Sequence, residues 1–130
     1  PVADPLKELV GQWHGLHEKV VYEVKSNGDV VVVENNSASE TIRNEKFAPG
    51  LVIAQLTSYK FDGAQYRFTG KCWTRGGGKP DYWLQPCPEV AVAYFETRDK
   101  SQKKPYWKLS VNYKGMLRKE NLGSGGQGRK

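Results

Sequence analysis

An antiparallel all-β domain, a sandwich or an up-and-down barrel of seven to eight short strands with one short N-terminal helix, is the fold class this sequence predicts. Three observations predict it. Apolar and polar residues alternate with period two through much of the chain, as they do in strands that bury one face. Asn27-Gly28 and Asp62-Gly63 each separate two β-prone runs, and such dipeptides supply the positive φ that tight hairpin turns need. No helical periodicity alternates with the strands and no internal repeat is present, which disfavours a parallel doubly wound sheet. The 130 residues suit one domain, over 1–122, followed by a Gly-rich basic tail at 123–130 that should be disordered, with four glycines in eight residues and no hydrophobe.

The elements follow in order. Asp4 caps a helix of one or two turns, Pro5 suits its first position, Leu6, Leu9 and Val10 share a face, and Gly11 ends it. Strands at 18–25 and 30–34 flank Asn27-Gly28; a two-residue loop there sets Val24 opposite Val31 and Tyr22 opposite Val33. Segment 36–50 is polar and irregular, with room for one short strand at 41–47. Strands at 51–61 and 64–73 flank Asp62-Gly63, and a two-residue loop pairs Tyr59 with Tyr66 and Thr57 with Phe68. Rings then gather on one face, and Ser58, Lys60, Arg67 and Lys71 on the other. The same count turns Cys72 inward and Trp73 outward. Pro86 and Pro88 should interrupt a ladder around Cys87, and two late strands lie at 89–98 and 106–113.

Charge is uneven. The net +6 divides into a balance of −2 over 1–97 and +8 over 98–130. A basic C-terminal third suits nucleic acid, an anionic membrane surface or an acidic partner, or else a solvated strand and tail. No apolar run is long enough for a transmembrane helix. The two cysteines, Cys72 and Cys87, exclude a disulfide-dense scaffold and an all-thiolate zinc site. A start at Pro1 fits removal of an initiator Met as well as cleavage of a signal peptide, so the compartment stays open, the cytoplasm slightly favoured and secretion expected if the two cysteines are bridged.

Residues 5–15, with Gly11-Gln12-Trp13 at their centre, resemble the entrance of the calycin barrels: lipocalins, fatty-acid-binding proteins and their bacterial heme-barrel relatives. In those families a short helix closes the barrel floor and a Gly-x-Trp opens the first strand, its indole packed under the cavity. The resemblance implies barrel-closing roles for Trp13 and for Arg118, the counterpart of a basic residue that lipocalins set across the indole. It covers about a tenth of the chain. The helix pair of fatty-acid-binding proteins is missing here, and no histidine follows His17, so the late heme ligand of the heme barrels has no equivalent.

Chemistry-bearing patterns are few. His14 and His17 fall on opposite faces of a strand and cannot share a metal; His17 faces inward with Trp13. Neither cysteine has a neighbouring base to activate it, Gly76-Gly77-Gly78 precedes no helix, and no carboxylate pair stands out, so the expectation leans against an enzyme, with no cofactor. Inward aromatics, Tyr22, Tyr59, Tyr66, Phe68, Tyr94, Trp107 and Tyr113, together with His17, either line a cavity or fill a core. The expected function is binding of a small apolar or amphiphilic ligand inside the barrel. The alternative is single-stranded nucleic acid or another polyanion held by Lys103, Lys104, Arg118 and Lys119, with Trp73 beside Lys71 and Arg75 as a stacking platform.

Overall fold

In the computed structural model of the chain, which describes residues 3–15, 19–36, 48–75, 82–96, 106–111 and 127–129, helix α1 (Pro5–Leu9) leads into strand β1 (Gly11–Gly15). The strands that follow are β2 (Val20–Val24), β3 (Asp29–Asn35), β4 (Val52–Phe61), β5 (Tyr66–Arg75), β6 (Tyr82–Glu96) and β7 (Tyr106–Val111). Each pairs antiparallel with the next, so the seven make one curled sheet in sequence order. The expected β fold with one N-terminal helix is present. No helix among the described residues is long and apolar enough to cross a membrane.

Helix α1 forms as its residues require. The Asp4 carboxylate accepts from the Lys7 N–H at 3.2 Å, Pro5 opens the first turn, and Leu9 is buried. Trp13 then anchors the turn into β1: its indole N–H donates to the Leu9 carbonyl at 2.7 Å, and its ring is buried. Burying the indole therefore leaves no polar group unmatched. Trp13 packs in the core with Tyr22 and Val32, its successive cross-strand partners.

Both hairpins differ from the two-residue turns the dipeptides predict. In the first, Lys25 and Asp29 face each other, with the Lys25 N–H donating to the Asp29 carbonyl at 2.8 Å, and the loop is the three residues 26–28. Gly28 takes φ +93°, the left-handed residue of a three-residue loop. Asn27 stabilises this form by accepting from the Asp29 N–H through its side chain. Val24 consequently faces Val30, and Tyr22 faces Val32. Val30 and Val32 are buried, whereas Val31 and Val33, the expected inward pair, are half-buried on the other face.

The second hairpin carries a four-residue loop, 62–65, so Phe61 pairs with Tyr66 and Tyr59 with Phe68. Asp62 selects this longer turn, because its side chain accepts from the backbone N–H of both Ala64 (3.2 Å) and Gln65 (2.9 Å). The register moves by two, an even number, so Tyr59, Tyr66 and Phe68 keep the common face that alternation assigns them.

Three further expectations are corrected. Trp73 is buried in the core rather than outward, opposite Leu84. The ladder of β6 continues through Pro86 and Pro88, with Lys71 opposite Pro86, and absorbs them by a register shift between Phe68 and Gly70; Cys87 thus lies within a strand, not in a loop. The glycine-rich tail contains a short strand, β8 (Gln127–Arg129), which pairs antiparallel with β7 on one side and β1 on the other. Backbone groups along two otherwise open edges gain partners there, which offsets the cost of ordering glycines. Segment 41–47 lies outside the described residues.

Two of the sheet's register shifts meet at Gly70. The β4–β5 ladder shifts register between Leu56 and Ser58, and the β5–β6 ladder between Phe68 and Gly70. A Cβ at Gly70 would stand 2.7 Å from the Thr57 hydroxyl and 2.9 Å from the Gln55 carbonyl carbon, with the carbonyl oxygen closer still. Only a residue without a side chain lets β4 fold this tightly onto β5.

Candidate functional site

The inner face of β4 to β7 carries a continuous run of aromatic rings. Cross-strand pairing sets Tyr59 beside Phe68, Phe61 beside Tyr66, and Phe95 beside Trp107. The rings touch in sequence: Tyr59 to Phe68 at 5.9 Å, Tyr59 to Tyr66 at 5.8 Å, Phe61 to Tyr66 at 4.7 Å, Tyr66 to Trp107 at 5.9 Å, and Trp107 to Phe95 at 5.6 Å between centroids. Strand β6 makes the crossing possible because Ala91 and Ala93 are its residues opposite Phe68 and Tyr66. With only a methyl at Ala93, Trp107 of β7 reaches Tyr66 of β5 across a full strand.

Part of this wall is open. Tyr59, Phe61 and Phe95 are 43%, 39% and 52% exposed, while Tyr66 and Phe68 between them are buried and Trp107 is half-buried. Three exposed rings joined through buried ones make an apolar surface that a fully packed core would not leave in water. The exposed rings lie where β4 and β6 finish and β5 and β7 begin. All neighbours are antiparallel, so this is also the end at which α1 enters β1.

Charges bound the wall without entering it. Lys60 and Arg67 oppose each other on the outer face, between the inner pairs. Arg67 donates to Asp62 (2.8 Å), to Gln65 (3.0 Å) and to Glu89, tying the β4–β5 turn to β6. The Asp62 carboxyl is held below its ordinary value chiefly by the Gln65 N–H, then by Arg67 and the Ala64 N–H.

The sequence-predicted site residues divide accordingly. Tyr59, Tyr66, Phe68 and Trp107 come together on the wall. Tyr22 is inward but buried beside Trp13, in the core away from the exposed rings. Tyr94 is a correction: it pairs with Lys108, whose ammonium lies 5.9 Å from its ring centroid, and so sits on the outer face. Its neighbour Phe95 takes the inner position instead. Phe61 and Phe95 were missing from the predicted set. Phe61 was legible, two residues beyond Tyr59 on the same strand; Phe95 required the β6–β7 register, which the residues of one strand alone do not reveal. His17, Tyr113, Arg118, Lys103, Lys104 and Lys119 lie outside the described residues. Trp73, being buried, cannot serve as a stacking platform.

Cys72 and Cys87 are both buried and not joined by a disulfide, Cys72 opposite Gln85 and Cys87 opposite Gly70 on adjacent strands. Among the described residues no three His, Cys, Asp or Glu side chains cluster as metal ligands. Comparison with known protein families, curated proteins and solved structures finds no match for this chain.

Proposed function

We propose that the protein is a non-enzymatic binding protein of calycin-like architecture, its curled sheet closed through β8, which holds a small, partly apolar ligand against the inner aromatic wall. One observation carries the reading: Tyr59, Phe61 and Phe95 expose large apolar rings on the same face as the buried core, in contact with Tyr66 and Trp107. Leaving such rings in water forgoes about 25 cal/mol for each Å² that a ligand would cover. A ligand recovers that free energy on binding.

The test is a titration with N-phenyl-1-naphthylamine, an uncharged apolar fluorophore, followed by its own emission and by tryptophan quenching. We expect a Kd of about 1 to 10 μM, nearly independent of salt and weakened by Phe95→Ala. Absence of binding up to the solubility limit would overturn the reading. If a single-stranded oligonucleotide bound instead, with steep salt dependence removed by neutralising Lys103, Lys104, Arg118 and Lys119, polyanion binding through the basic third would replace it.

A further inference from the structure

From the geometry of the wall we infer the class of ligand it takes: a planar, uncharged molecule of several fused or linked rings, bearing at most a hydroxyl or similar polar group. The inference rests on the binding function proposed above and adds shape and charge to it.

Shape follows from the ring geometry. Every ring pair along the wall is tilted or edge-on, with interplanar angles of 42° to 61°. In such arrangements the edge of one ring meets its neighbour, so less of the ring faces is covered than in stacked pairs. The faces of the three exposed rings stay available to an incoming π system. Phe61 and Tyr59 stand on β4 and Phe95 on β6, with the buried Tyr66 on β5 between them and the half-buried Trp107 on β7 touching both Tyr66 and Phe95, so the exposed rings adjoin a floor that is itself aromatic. From β4 to β7 the wall crosses three interstrand spacings, about 14 Å in all. A rigid body of three to five fused rings matches that reach. A flexible chain covers the same area only by giving up rotational freedom bond by bond.

Charge follows from what the alternation excludes. Lys60, Arg67 and Lys108 all occupy outer-face positions, and Arg67 is engaged by Asp62, Gln65 and Glu89. Among the described residues of β4 to β7, the rows that carry the rings contain no ionisable group other than the tyrosine hydroxyls. A charged ligand lying on the wall would lose hydration with no counter-charge to replace it. The hydroxyl of the exposed Tyr59 is a polar handle on the wall, able to donate one hydrogen bond and to accept others.

Three probes separate the possibilities: 1-pyrenemethanol, planar and uncharged; hexadecan-1-ol, an uncharged chain of similar carbon number; and 1-pyrenesulfonate, planar and charged. Competition against N-phenyl-1-naphthylamine gives each affinity. We expect pyrenemethanol to bind about tenfold more tightly than either of the others, a ratio of the size that aromatic contacts supply beyond simple area burial. Phe61→Leu and Phe95→Leu keep an apolar side chain but remove the π face. Each is expected to weaken pyrenemethanol about fivefold and hexadecanol by less than about twofold, in protein whose circular dichroism shows the fold intact. Equal or tighter binding of hexadecanol, or equal loss of both ligands in the leucine variants, would overturn the planar class while leaving the binding function standing. Tighter binding of the sulfonate would overturn the uncharged class in the same way. If the naphthylamine itself fails to bind, the binding function falls and the ligand class falls with it.

Discussion

Replacing Gly70 with alanine tests the corner on which the sheet bends. The new methyl would meet the Thr57 hydroxyl at 2.7 Å and the Gln55 carbonyl carbon at 2.9 Å. The Gln55 carbonyl oxygen stands nearer still, and comfortable contacts begin near 3.5 Å, so β4 and β5 would have to separate by more than about 0.8 Å at this point. The obstacle is backbone, which cannot rotate away as a side-chain tip can. Inserting a methyl into a packed region costs about 1 to 3 kcal/mol, and a weakened ladder hydrogen bond beside it adds about 1 kcal/mol. A loss of about 3 kcal/mol is expected. Gly63→Ala is the matched control: Gly63 has φ +94°, but a methyl added there would find nothing within 4 Å, so only backbone strain of about 1 to 2 kcal/mol applies. Urea denaturation at neutral pH, followed by tryptophan emission and far-ultraviolet circular dichroism, measures both. If Gly70→Ala costs no more than Gly63→Ala, the close approach of β4 to β5 is not what holds this glycine in place.

Three more outcomes are expected. Trp13→Ala removes a buried indole and leaves the Leu9 carbonyl without its donor, and should cost about 3 to 5 kcal/mol; a loss under about 1 kcal/mol would refute an anchoring role. Because the folded-state carboxyl of Asp62 titrates below its ordinary value, its contribution to the β4–β5 turn is complete above the unfolded value, about 3.9, and disappears as pH falls through the lowered folded value. Carboxyl titration by NMR, with amide exchange at Gln65, should show this, and Asp62→Asn should abolish the pH dependence; a carboxyl titrating at or above the ordinary value would contradict it. Deleting residues 127–130 strips β8 from β1 and β7, and should lower stability by about 2 kcal/mol while promoting self-association through the bared edges. Unchanged melting and unchanged amide exchange in β1 and β7 would show that β8 does not hold those edges.

How much of this was legible in the sequence depends on parity. At Asp62-Gly63 the real turn is two residues longer than the dipeptide suggests, and an even displacement preserves the facing of Tyr59, Tyr66 and Phe68. The aromatic face could therefore be read correctly from a wrong register. At Asn27-Gly28 the displacement is one residue, and the expected partners of Val24 and Tyr22 came out on the opposite face. Both errors arise from side chains that a dipeptide rule omits: the Asx contacts of Asn27 and of Asp62 select the longer loops. The short strand at Gln127–Arg129 was not legible for a different reason. Glycine content predicts the entropy a segment must lose, but not that two strand edges stand ready to receive it. Helix α1 and the burial of Trp13 were legible because their signals are local, whereas the inward turn of Phe95 depends on a partner strand about ten residues further along the chain.

Ala91 and Ala93 give the wall a property that its rings alone would not have. A larger side chain at Ala93 would stand between Tyr66 and Trp107 and split one aromatic surface into two islands, one on β4 and β5 and one on β6 and β7. Neither alanine is exposed to a ligand, since both are fully buried. The extent of the recognition surface is thus controlled by residues that never touch what is recognised. For engineering, this means that a single methylene or two placed beneath the rings tunes the length of ligand accepted while every contacting residue keeps its identity.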